Sequence, residues 1–423
     1  MSIGKYCEDL KKHISSTYKE TLREAGGALK YPFVTPGSKQ YDDVLWDWDA
    51  WLSNVALGQI LADLDDATAS EEAWPYEIGC ILNPVAWQQK HFSWMGKLPG
   101  TMRREEKEFP QNPWSGNNRK PCFVQHAAYL AKREGGKVDW LLENDALYCM
   151  QTFLHFWKAH QNHKETGLYL MAGPGGGGSD DDPTVFGRPP YSTATIFLNS
   201  LMYRDLEAMV YLLKLANLNE CAVEWEKERD HLRDAIREYC YDPRDGYFYS
   251  FDVNLVPEEP RTWYHSGRHR HWPGLIMRIE TWMGMMPLWA GVATEEQAER
   301  AVEHYRDENT LNCPGGIRTL SKMEKMYRIT ASGNPSCWLG PVWGASNYLT
   351  WRGLVRYGFE KDAKELAEKT VKLFGQDLER NGALHEYYEP SGEPILNPGF
   401  QNWNHCVMLM IAYLEGREPV YEF

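Results

Sequence analysis

Apolar residues recur at steps of three and four along most of the chain, which predicts amphipathic α-helices. Three segments show this pattern with charged residues between the apolar ones: 219–242, 294–308 and 360–382. Thr294 is the expected N-cap of the second, and Gly382 is the expected stop of the third. Other segments are apolar on most sides and predict more deeply buried helices: 49–64, 140–161, 192–216, 338–358 and 402–416.

Buried and half-exposed helices alternate along the sequence. This alternation predicts an all-α fold with two concentric layers, in which the inner helices are apolar on every side and the outer helices are amphipathic. Strand signals are weak and local, as at 245–253. An open α-solenoid is the alternative, but the sequence has no short repeat of fixed length. Because no linker interrupts the pattern, we expect one domain over residues 1–423, shaped as a toroid with loops at both rims.

The chain has a formal net charge of −14 at pH 7, which argues against nucleic acids and anionic membrane surfaces as partners. Its nine cysteines are scattered, without a C-x-x-C pair. The first residues lack the apolar segment of a secretory signal, and no apolar run reaches the ~18 residues of a membrane span. We therefore expect a cytoplasmic protein, whose oligomeric state the sequence leaves open.

Aromatic residues are unusually frequent, with 18 tryptophans, 24 tyrosines and 14 phenylalanines. Many of them stand beside Asp, Gln, Asn or His. An aromatic face next to hydrogen-bonding groups suits a sugar, whose C–H face stacks while its hydroxyls need partners. The alternative is a core that is simply rich in aromatic residues.

The stretch MAGPGGGGSDDDPTVFGRPP, residues 171–190, sets four adjacent glycines against three adjacent aspartates. Glycine permits close approach of the backbone to a ligand, and the prolines that follow fix the exit path. Like charges and burial both raise a carboxyl pKa, so one of Asp180, Asp181 and Asp182 is suited to act as a general acid. Arg188 is the expected partner of another of the three. A solvated acidic turn and a calcium loop are the alternatives, although the EF-hand pattern is absent.

Glycoside hydrolysis needs two carboxylates, and the second candidate is Glu386. It lies in 381–403, an aromatic loop between two predicted helices. Aromatic packing would hold such a glutamate in place. Glu389 and Glu393 compete for the role, and an ordinary loop glutamate is the alternative reading of this segment.

Two further aromatic clusters would complete a sugar pocket. Asp47 and Asp49 stand between tryptophans in 41–54, where a carboxylate can hold sugar hydroxyls while an indole face stacks on the ring. N-capping of a helix by Asp49 is compatible with that role. Trp338 and Trp343 stand at a predicted helix entrance, where they would form a wall of the same pocket.

Together these four stretches resemble glycoside hydrolase family 63 and its trehalase relatives. Residues 48–51 are similar to the family's W-D-x-aromatic motif, and 178–183 to its Gly-x-Asp-(Asn/Asp)-x-Pro segment. A third element at 338–348 shares two tryptophans, Gly-Pro and Asn-Tyr, and a fourth begins at Glu386. Within the family the chain is most similar to the bacterial and plant mannosylglycerate and glucosylglycerate hydrolases. It departs from them in a longer glycine run and in having Asp181 where asparagine is usual.

The resemblance implies an (α/α)6 barrel and an inverting hydrolase that acts on an α-linked sugar. It gives Asp180 the role of general acid and Glu386 that of general base. No metal and no organic cofactor is implied, because proton transfer and positioning carry this reaction. The expected partner is a small sugar or sugar-acid substrate, and the expected reaction releases glucose or mannose from glucosylglycerate or mannosylglycerate. Hydrolysis of an α-disaccharide, as by an α-glucosidase or a trehalase, is the alternative.

A glycerate leaving group would need a cation, and the candidates are Arg188, then Arg204, Arg268 and Arg270. The loop 258–275 would close over the sugar and exclude water. The residues that we expect to line the sugar site are Tyr41, Asp47, Trp48, Asp49, Trp94, Gln125, Gly178, Arg188, Arg204, Trp338, Gly340, Trp343, Tyr387 and Trp403.

Two other classes of function remain open from the sequence. A toroidal sugar epimerase would use paired histidines, for which His265, His269 and His271 are available. A sugar-binding scaffold without catalysis would need neither carboxylate. The sequence does not choose between glucose and mannose, because that choice rests on the orientation of one hydroxyl.

Overall fold

The structure is a computed structural model that describes residues 2–92, 95–105, 116–173, 177–254, 273–330 and 335–423. Within these residues the helices are α1 (Ile3–Thr17), α2 (Asp47–Leu64), α3 (Ala67–Lys90), α4 (Phe123–Arg133), α5 (Asp139–Leu142), α6 (Ala146–His160), α7 (Ile196–Leu215), α8 (Asn219–Ala235), α9 (Met286–Ala290), α10 (Glu295–Arg306), α11 (Gly344–Arg356), α12 (Glu360–Asn381) and α13 (Val407–Leu414). None of them is long and apolar enough to cross a membrane.

Short strands connect the helices, and each belongs to an antiparallel sheet of two or three strands. In the described residues they are β1 (Leu22–Arg23), β2 (Phe33–Val34), β3 (Val44–Trp46), β4 (Thr101–Arg103), β5 (Thr193–Ala194), β6 (Tyr241–Asp242), β7 (Tyr247–Phe248), β8 (Ser250–Asp252), β9 (Leu275–Met277), β10 (Asn312–Cys313), β11 (Gly316–Ile317), β12 (Val342–Trp343), β13 (Tyr387–Tyr388) and β14 (Pro394–Ile395). Two of them, β7 and β8, lie in the segment 245–253 that showed strand signals.

Six helices form a closed ring at the centre of the fold: α2, α4, α7, α9, α11 and α13. Each contacts the next in this order, and α13 returns to α2. In α2 every residue from Asp47 to Leu61 is buried, and so is the whole of α9. A helix enclosed on all sides has to be apolar around most of its circumference, which explains why the inner segments lack a clear polar face.

The outer layer consists of α1, α3, α6, α8, α10 and α12, which alternate along the chain with the inner helices. Helix α12 packs against α11, α13 and α1, and α8 packs against α7. Helix α12 buries one face through residues such as Leu366 and Phe374. Thr294 caps α10 as predicted, in a capping box with Gln297, and Gly382 ends α12 in a left-handed conformation with φ 70°. The two predicted layers are therefore present.

Several helices are shorter than predicted where the chain forms a strand or a turn. The predicted helix 338–358 begins only at Gly344, because the residues before it form β12 and pair with β13. Asn402–Cys406 forms a 3-10 turn before α13. A left-handed Asp145, with φ 55°, separates α5 from α6 within 140–161. The residues before α11 and the 3-10 turn before α13 lie at the beginnings of inner helices, and both contribute to the site described below.

The sequence pattern does not predict α3. This outer helix contains Pro75 and Pro84 within one continuous run of 24 residues. Proline removes a backbone donor and disfavours a helix interior, so the prolines hide the helical signal. Packing against α2, α4 and α6 stabilises the helix in spite of them.

A buried ion pair joins α11 to the end of the described chain. Arg352 Nε donates to both carboxylate oxygens of Glu422 at 2.9 Å, and Trp289 Nε1 donates to one of them at 3.2 Å. The Tyr348 hydroxyl also hydrogen bonds to this carboxylate. Burial alone would raise the pKa of Glu422, but Arg352, the Tyr348 hydroxyl and the charge of Arg356 together outweigh burial and the pKa is lowered. The pair therefore ties three segments together inside the ring.

We expect Glu422→Gln to lower the free energy of unfolding by about 3 kcal/mol, because the Arg352 charge would stay buried without an anion. The midpoint of urea denaturation measures this loss. Arg380→Gln is the control, since Arg380 and Glu393 form a pair whose side chains are 54% and 62% exposed. That substitution should change stability by less than about 1 kcal/mol. Equal losses in the two variants would contradict the role given to the buried pair.

Candidate active site

A cavity that opens to solvent, with a volume of about 140 Å³, lies where several inner helices begin. Its wall includes the first turn of α2 and the residues just before α11 and α13. The positive ends of these helix dipoles favour carboxylates in the cavity. The lining residues are Tyr41, Trp46, Asp47, Trp48, Asp49, Gly100, Thr101, Lys120, Gly178, Asp180, Ser336, Trp338, Trp343, Glu386, Phe400 and Trp403.

Glu386 lies just before β13 and is 4% exposed. The Tyr41 hydroxyl donates to both of its carboxylate oxygens at 3.1 Å, and Asn397 Nδ2 donates to one of them at 2.5 Å. Asn397 belongs to a turn with φ 42°, and this turn brings its amide onto the glutamate. Burial raises the pKa of Glu386 and the charge of Asp180 adds to this effect, while the hydrogen bonds from Asn397 and Tyr41 oppose it.

Asp377 of the outer helix α12 holds the segment that carries Glu386. Its carboxylate accepts hydrogen bonds from the backbone N–H of His385 at 3.0 Å, from His385 Nδ1 at 2.9 Å and from the Tyr388 hydroxyl at 2.8 Å. Burial alone would raise the pKa of Asp377, but the side-chain hydrogen bonds from His385, Asn381 and Tyr388, together with the charge of His385, outweigh it and the pKa is lowered. The residue before Glu386 and the second residue after it are thus fixed to the same helix.

Asp180 also lines the cavity; it lies on the glycine-rich segment, two residues after Gly178, and is half-buried. Gly178 has φ +100°, and a Cβ at this position would lie 2.9 Å from Lys120 Cε and 3.1 Å from the Phe197 ring. Glycine is therefore required here by both conformation and space. The structure thus brings Asp180 and Glu386, which are 206 positions apart, to one cavity.

The two aspartates after Asp180 are buried and face other partners. Asp181 Oδ1 accepts a hydrogen bond from the backbone N–H of Trp338 at 2.7 Å. Asp182 Oδ1 accepts hydrogen bonds from the backbone N–H and the hydroxyl of Thr184, both at 2.8 Å. Burial raises the pKa of Asp181, and it raises that of Asp182 to about 6.

Asp47 and Asp49 both lie in the first turn of α2, because this helix begins at Asp47 and Trp46 is its N-cap. Asp49 is therefore not the N-cap that the sequence allowed. Lys120 Nζ donates to both oxygens of Asp47, at 2.8 and 3.0 Å. Burial alone would raise the pKa of Asp47, but the charges of Lys120 and Arg119 and the hydrogen bonds from Lys120 together outweigh it and the pKa is lowered.

Asp49 has a different electrostatic setting. Burial and the charge of Asp47 together raise the pKa of Asp49 to about 7. Asn402 Nδ2 donates to Asp49 at 2.6 Å and favours the ionised form. Asp49 therefore carries a proton part of the time near neutral pH, whereas Asp47 is held ionised by Lys120.

Tryptophan rings form one wall of the cavity. The Trp338 ring stacks on Trp343, with centroids 4.0 Å apart and planes 10° apart. The Trp48 ring is tilted against two others, with its centroid 4.7 Å from that of Trp403 and 6.0 Å from that of Trp338. The Tyr387 ring stacks on Trp343, with ring centroids 4.7 Å apart, and its hydroxyl donates to the carbonyl of Pro335 at 2.7 Å. Tyr387 supports this wall without lining the cavity.

The two described arginines that were expected near the substrate lie elsewhere. Arg188 forms an ion pair with Asp252 at 2.5 Å, so it does not pair with the neighbouring aspartates as predicted. Arg204 lies on α7, where it bonds to Glu207 and to the carbonyl of Phe423. Both guanidiniums are committed to structural partners, and neither lines the cavity.

Two other predicted lining residues also have structural roles. Gln125 is completely buried on α4, where its amide donates to the carbonyls of Pro121 and Leu201. Gly340 has φ +146°, and a Cβ there would lie 2.6 Å from the Tyr327 ring. Some predicted residues lie outside the described residues: Trp94, His265, Arg268, His269, Arg270, His271 and most of the loop 258–275.

Several lining residues were missed by the sequence reasoning: Trp46, Gly100, Thr101, Lys120, Ser336 and Phe400. Trp46 and Phe400 belong to the aromatic segments 41–54 and 381–403, so their composition could have indicated them. Ser336, which hydrogen bonds to Glu386, lies two residues before Trp338, a predicted lining residue. Lys120 has no local signal, because only the fold brings it to Asp47.

Comparison with known proteins supports the same family. The sequence model described as "Mannosylglycerate hydrolase MGH1-like glycoside hydrolase domain" matches residues 42–403. The chain is 28% identical over 207 residues to the cytosolic neutral trehalase of Kluyveromyces lactis, covering 46% of this chain and 25% of that protein. It is 32% identical over 139 residues to mannosylglycerate hydrolase MGH1 of Selaginella moellendorffii, covering 32% of this chain and 26% of that protein. The alignments thus span about a quarter of these two relatives.

Solved structures show the fold. A glycoside hydrolase family 63 mannosylglycerate hydrolase from Thermus thermophilus, in complex with glucose, has a TM-score of 0.64 at 18% identity and covers 97% of this chain and 99% of that one. Neutral trehalase Nth1 from Saccharomyces cerevisiae has a TM-score of 0.63 at 18% identity. That match covers 97% of this chain and 82% of the trehalase chain. The predicted (α/α)6 barrel and the resemblance to family 63 are confirmed. Since the family match spans most of the sequence, this chain belongs to the mannosylglycerate hydrolase MGH1-like glycoside hydrolase family.

Proposed function

We propose that this protein is an inverting α-glycoside hydrolase that releases glucose or mannose from a small α-linked substrate. The observation that carries the proposal is the shared cavity of Asp180 and Glu386, two carboxyl groups with a wall of indole rings beside them. Family membership supports it, as do the names of the relatives, which include mannosylglycerate hydrolases and trehalases.

Asp180 is the general acid in this proposal. Its carboxyl group donates a proton to the glycosidic oxygen as the bond to the anomeric carbon breaks. Asp180 is half-buried at the cavity wall, so it can reach both substrate and solvent. The glycosidic oxygen leaves as a hydroxyl group of the departing molecule and takes this proton with it.

Glu386 is the general base. The ionised carboxylate takes a proton from a water molecule, which attacks the anomeric carbon on the face opposite to the leaving group. Tyr41 and Asn397 orient the carboxylate, and burial makes it a stronger base than an exposed glutamate. An inverting enzyme needs roughly 6.5–9.5 Å between its two carboxyl groups, which leaves room for this water.

The sugar ring lies against the tryptophan wall, with its hydroxyls toward the first turn of α2. Asp47 is committed to Lys120, so Asp49 is the better suited of the two aspartates to bind a sugar hydroxyl. The described lining residues contain four carboxyl groups and a single cationic side chain, Lys120, which already has a carboxylate partner. This charge balance suits a neutral sugar in the deep part of the cavity.

We propose glucosylglycerate or mannosylglycerate as the substrate, on the strength of the family description. A Thermus thermophilus structure of a family 63 mannosylglycerate hydrolase contains Tris and D-glycerate, which supports this choice. Hydrolysis of an α-disaccharide is the second candidate, favoured by the commitment of Arg188 and Arg204 to other carboxylate and carbonyl groups. A substrate panel separates the two candidates.

We expect Asp180→Asn and Glu386→Gln each to lower kcat by about 10²–10⁴-fold, because each removes one proton-transfer group. Free sugar released from glucosylglycerate, mannosylglycerate and trehalose is the measurement, and an unchanged circular dichroism spectrum shows that the fold is kept. Glu389→Gln is the matched control, since Glu389 lies three residues after Glu386 and does not line the cavity. It should retain wild-type turnover.

Three results would count against the proposal. Full turnover by either carboxylate variant would remove that residue from the mechanism. Failure of the wild-type protein to release sugar from any substrate in the panel would favour a binding scaffold. Isomerisation without release would favour an epimerase, although the described lining residues include no histidine.

The pH dependence of Tyr41→Phe provides a further prediction. The Tyr41 hydroxyl stabilises ionised Glu386, so its loss should raise the pKa of this base. The rate depends on the ionised form, and the acidic limb of the kcat/KM profile should therefore move to higher pH. Profiles measured from pH 4 to 8 test the shift, and a limb that stays in place or moves to lower pH would contradict it.

A further inference from the structure

The three consecutive aspartates of the glycine-rich segment face three different partners. Asp180 lines the cavity. Asp182 bonds to Thr184 and so folds its own loop. Asp181 reaches a distant segment, since its carboxylate accepts the backbone N–H of Trp338, 157 positions away, at 2.7 Å. The hydrogen bond of Asp181 therefore joins the acid-bearing loop to the tryptophan wall.

The other end of this hydrogen bond is held firmly. The Trp338 ring stacks on Trp343 at 4.0 Å, and Trp343 Nε1 donates to the carbonyl of Cys337 at 2.8 Å. Trp343 is also the N-cap of the inner helix α11 and pairs with β13. The backbone N–H of Trp338 is thus a fixed point next to a ring that lines the cavity.

Asp181 is covalently adjacent to Asp180, with about 3.8 Å between their Cα atoms. A shift of the Asp181 side chain away from Trp338 would therefore move the proposed acid relative to the wall on which the sugar stacks. Displacements of about 1 Å are enough to lower a catalytic rate by about a hundredfold.

We propose that Asp181 is a positioning residue, whose hydrogen bond to the Trp338 backbone fixes the distance between the Asp180 carboxyl and the sugar-binding wall. This inference rests on the proposed function, because it assumes that Asp180 donates the proton. It assigns to Asp181 no contact with the substrate.

The requirement at position 181 is an oxygen acceptor. Asp181 is 8% exposed, so without it the N–H of Trp338 would be left in a buried place with no acceptor. The charged and titratable groups that act on Asp181 or respond to it are Asp180, Asp182, Arg328, Cys337 and Tyr387. An asparagine keeps the acceptor oxygen and the shape while it removes the charge, and an alanine removes the acceptor as well.

The test compares Asp181→Asn with Asp181→Ala on the substrate that the wild-type protein hydrolyses. We expect Asp181→Ala to lower kcat by about a hundredfold with little change in KM, because the sugar site remains while the acid is misplaced. Asp181→Asn should retain most of the wild-type kcat. Thermal melting of each variant, measured at the assay pH, shows whether the protein is folded at the assay temperature.

Distinct outcomes separate this inference from the proposed function. A wild-type protein that releases no sugar overturns both. If the wild type is active, a wild-type kcat in Asp181→Ala overturns the inference alone, and so does an equal loss of kcat in both variants. A loss of activity in Asp181→Ala that only follows the unfolded fraction, or that raises KM as much as it lowers kcat, also overturns it.

Discussion

Carboxylates buried beside a cavity have to find hydrogen-bond partners, and this requirement links the site to the whole barrel. An ionised carboxylate without a partner is too costly to bury. Two of the partners come from remote segments, Tyr41 for Glu386 and Lys120 for Asp47, while Asn397 lies 11 residues after Glu386 in the same loop. The remote partners reach their carboxylates only when the fold has brought their segments together. The arrangement of charges in the cavity is therefore a property of the folded barrel rather than of any one motif.

Unequal surroundings give these acids different chemistry. A lysine ion pair lowers the pKa of Asp47, burial beside that same aspartate raises the pKa of Asp49 to about 7, and burial raises the pKa of Glu386. Environments that separate the pKa values of neighbouring acids are typical of sites that move protons. In the proposed complex, the indole rings on the same wall would exclude water from one face of the sugar and leave hydrogen-bonding groups on the other. The proposed site thus combines proton transfer with stacking.

The sequence correctly predicted features that depend on neighbouring residues, namely helices and helix ends. The periodic apolar pattern predicted most of the helices, and Thr294 and Gly382 marked their ends correctly. The four motifs also predicted the aromatic and acidic segments that meet at the cavity. Long-range pairing was beyond this reasoning: Arg188 was expected beside the aspartates, yet its partner is Asp252 on β8, and Lys120 gave no signal at all. Helix α3 was missed because its two prolines hide the pattern and tertiary packing supplies the stability.

The central claim is that two carboxyl groups act on opposite faces of a bound sugar. One protonates the leaving group, and the other activates a water molecule on the opposite face. The stereochemistry of the first product tests it most directly, because attack from the face opposite to the leaving group inverts the anomeric centre. A proton NMR time course on an α-linked substrate that the protein hydrolyses should show the β-anomer first, followed by slow mutarotation. The α-anomer as the first product would mean retention, and it would contradict the roles given to Asp180 and Glu386.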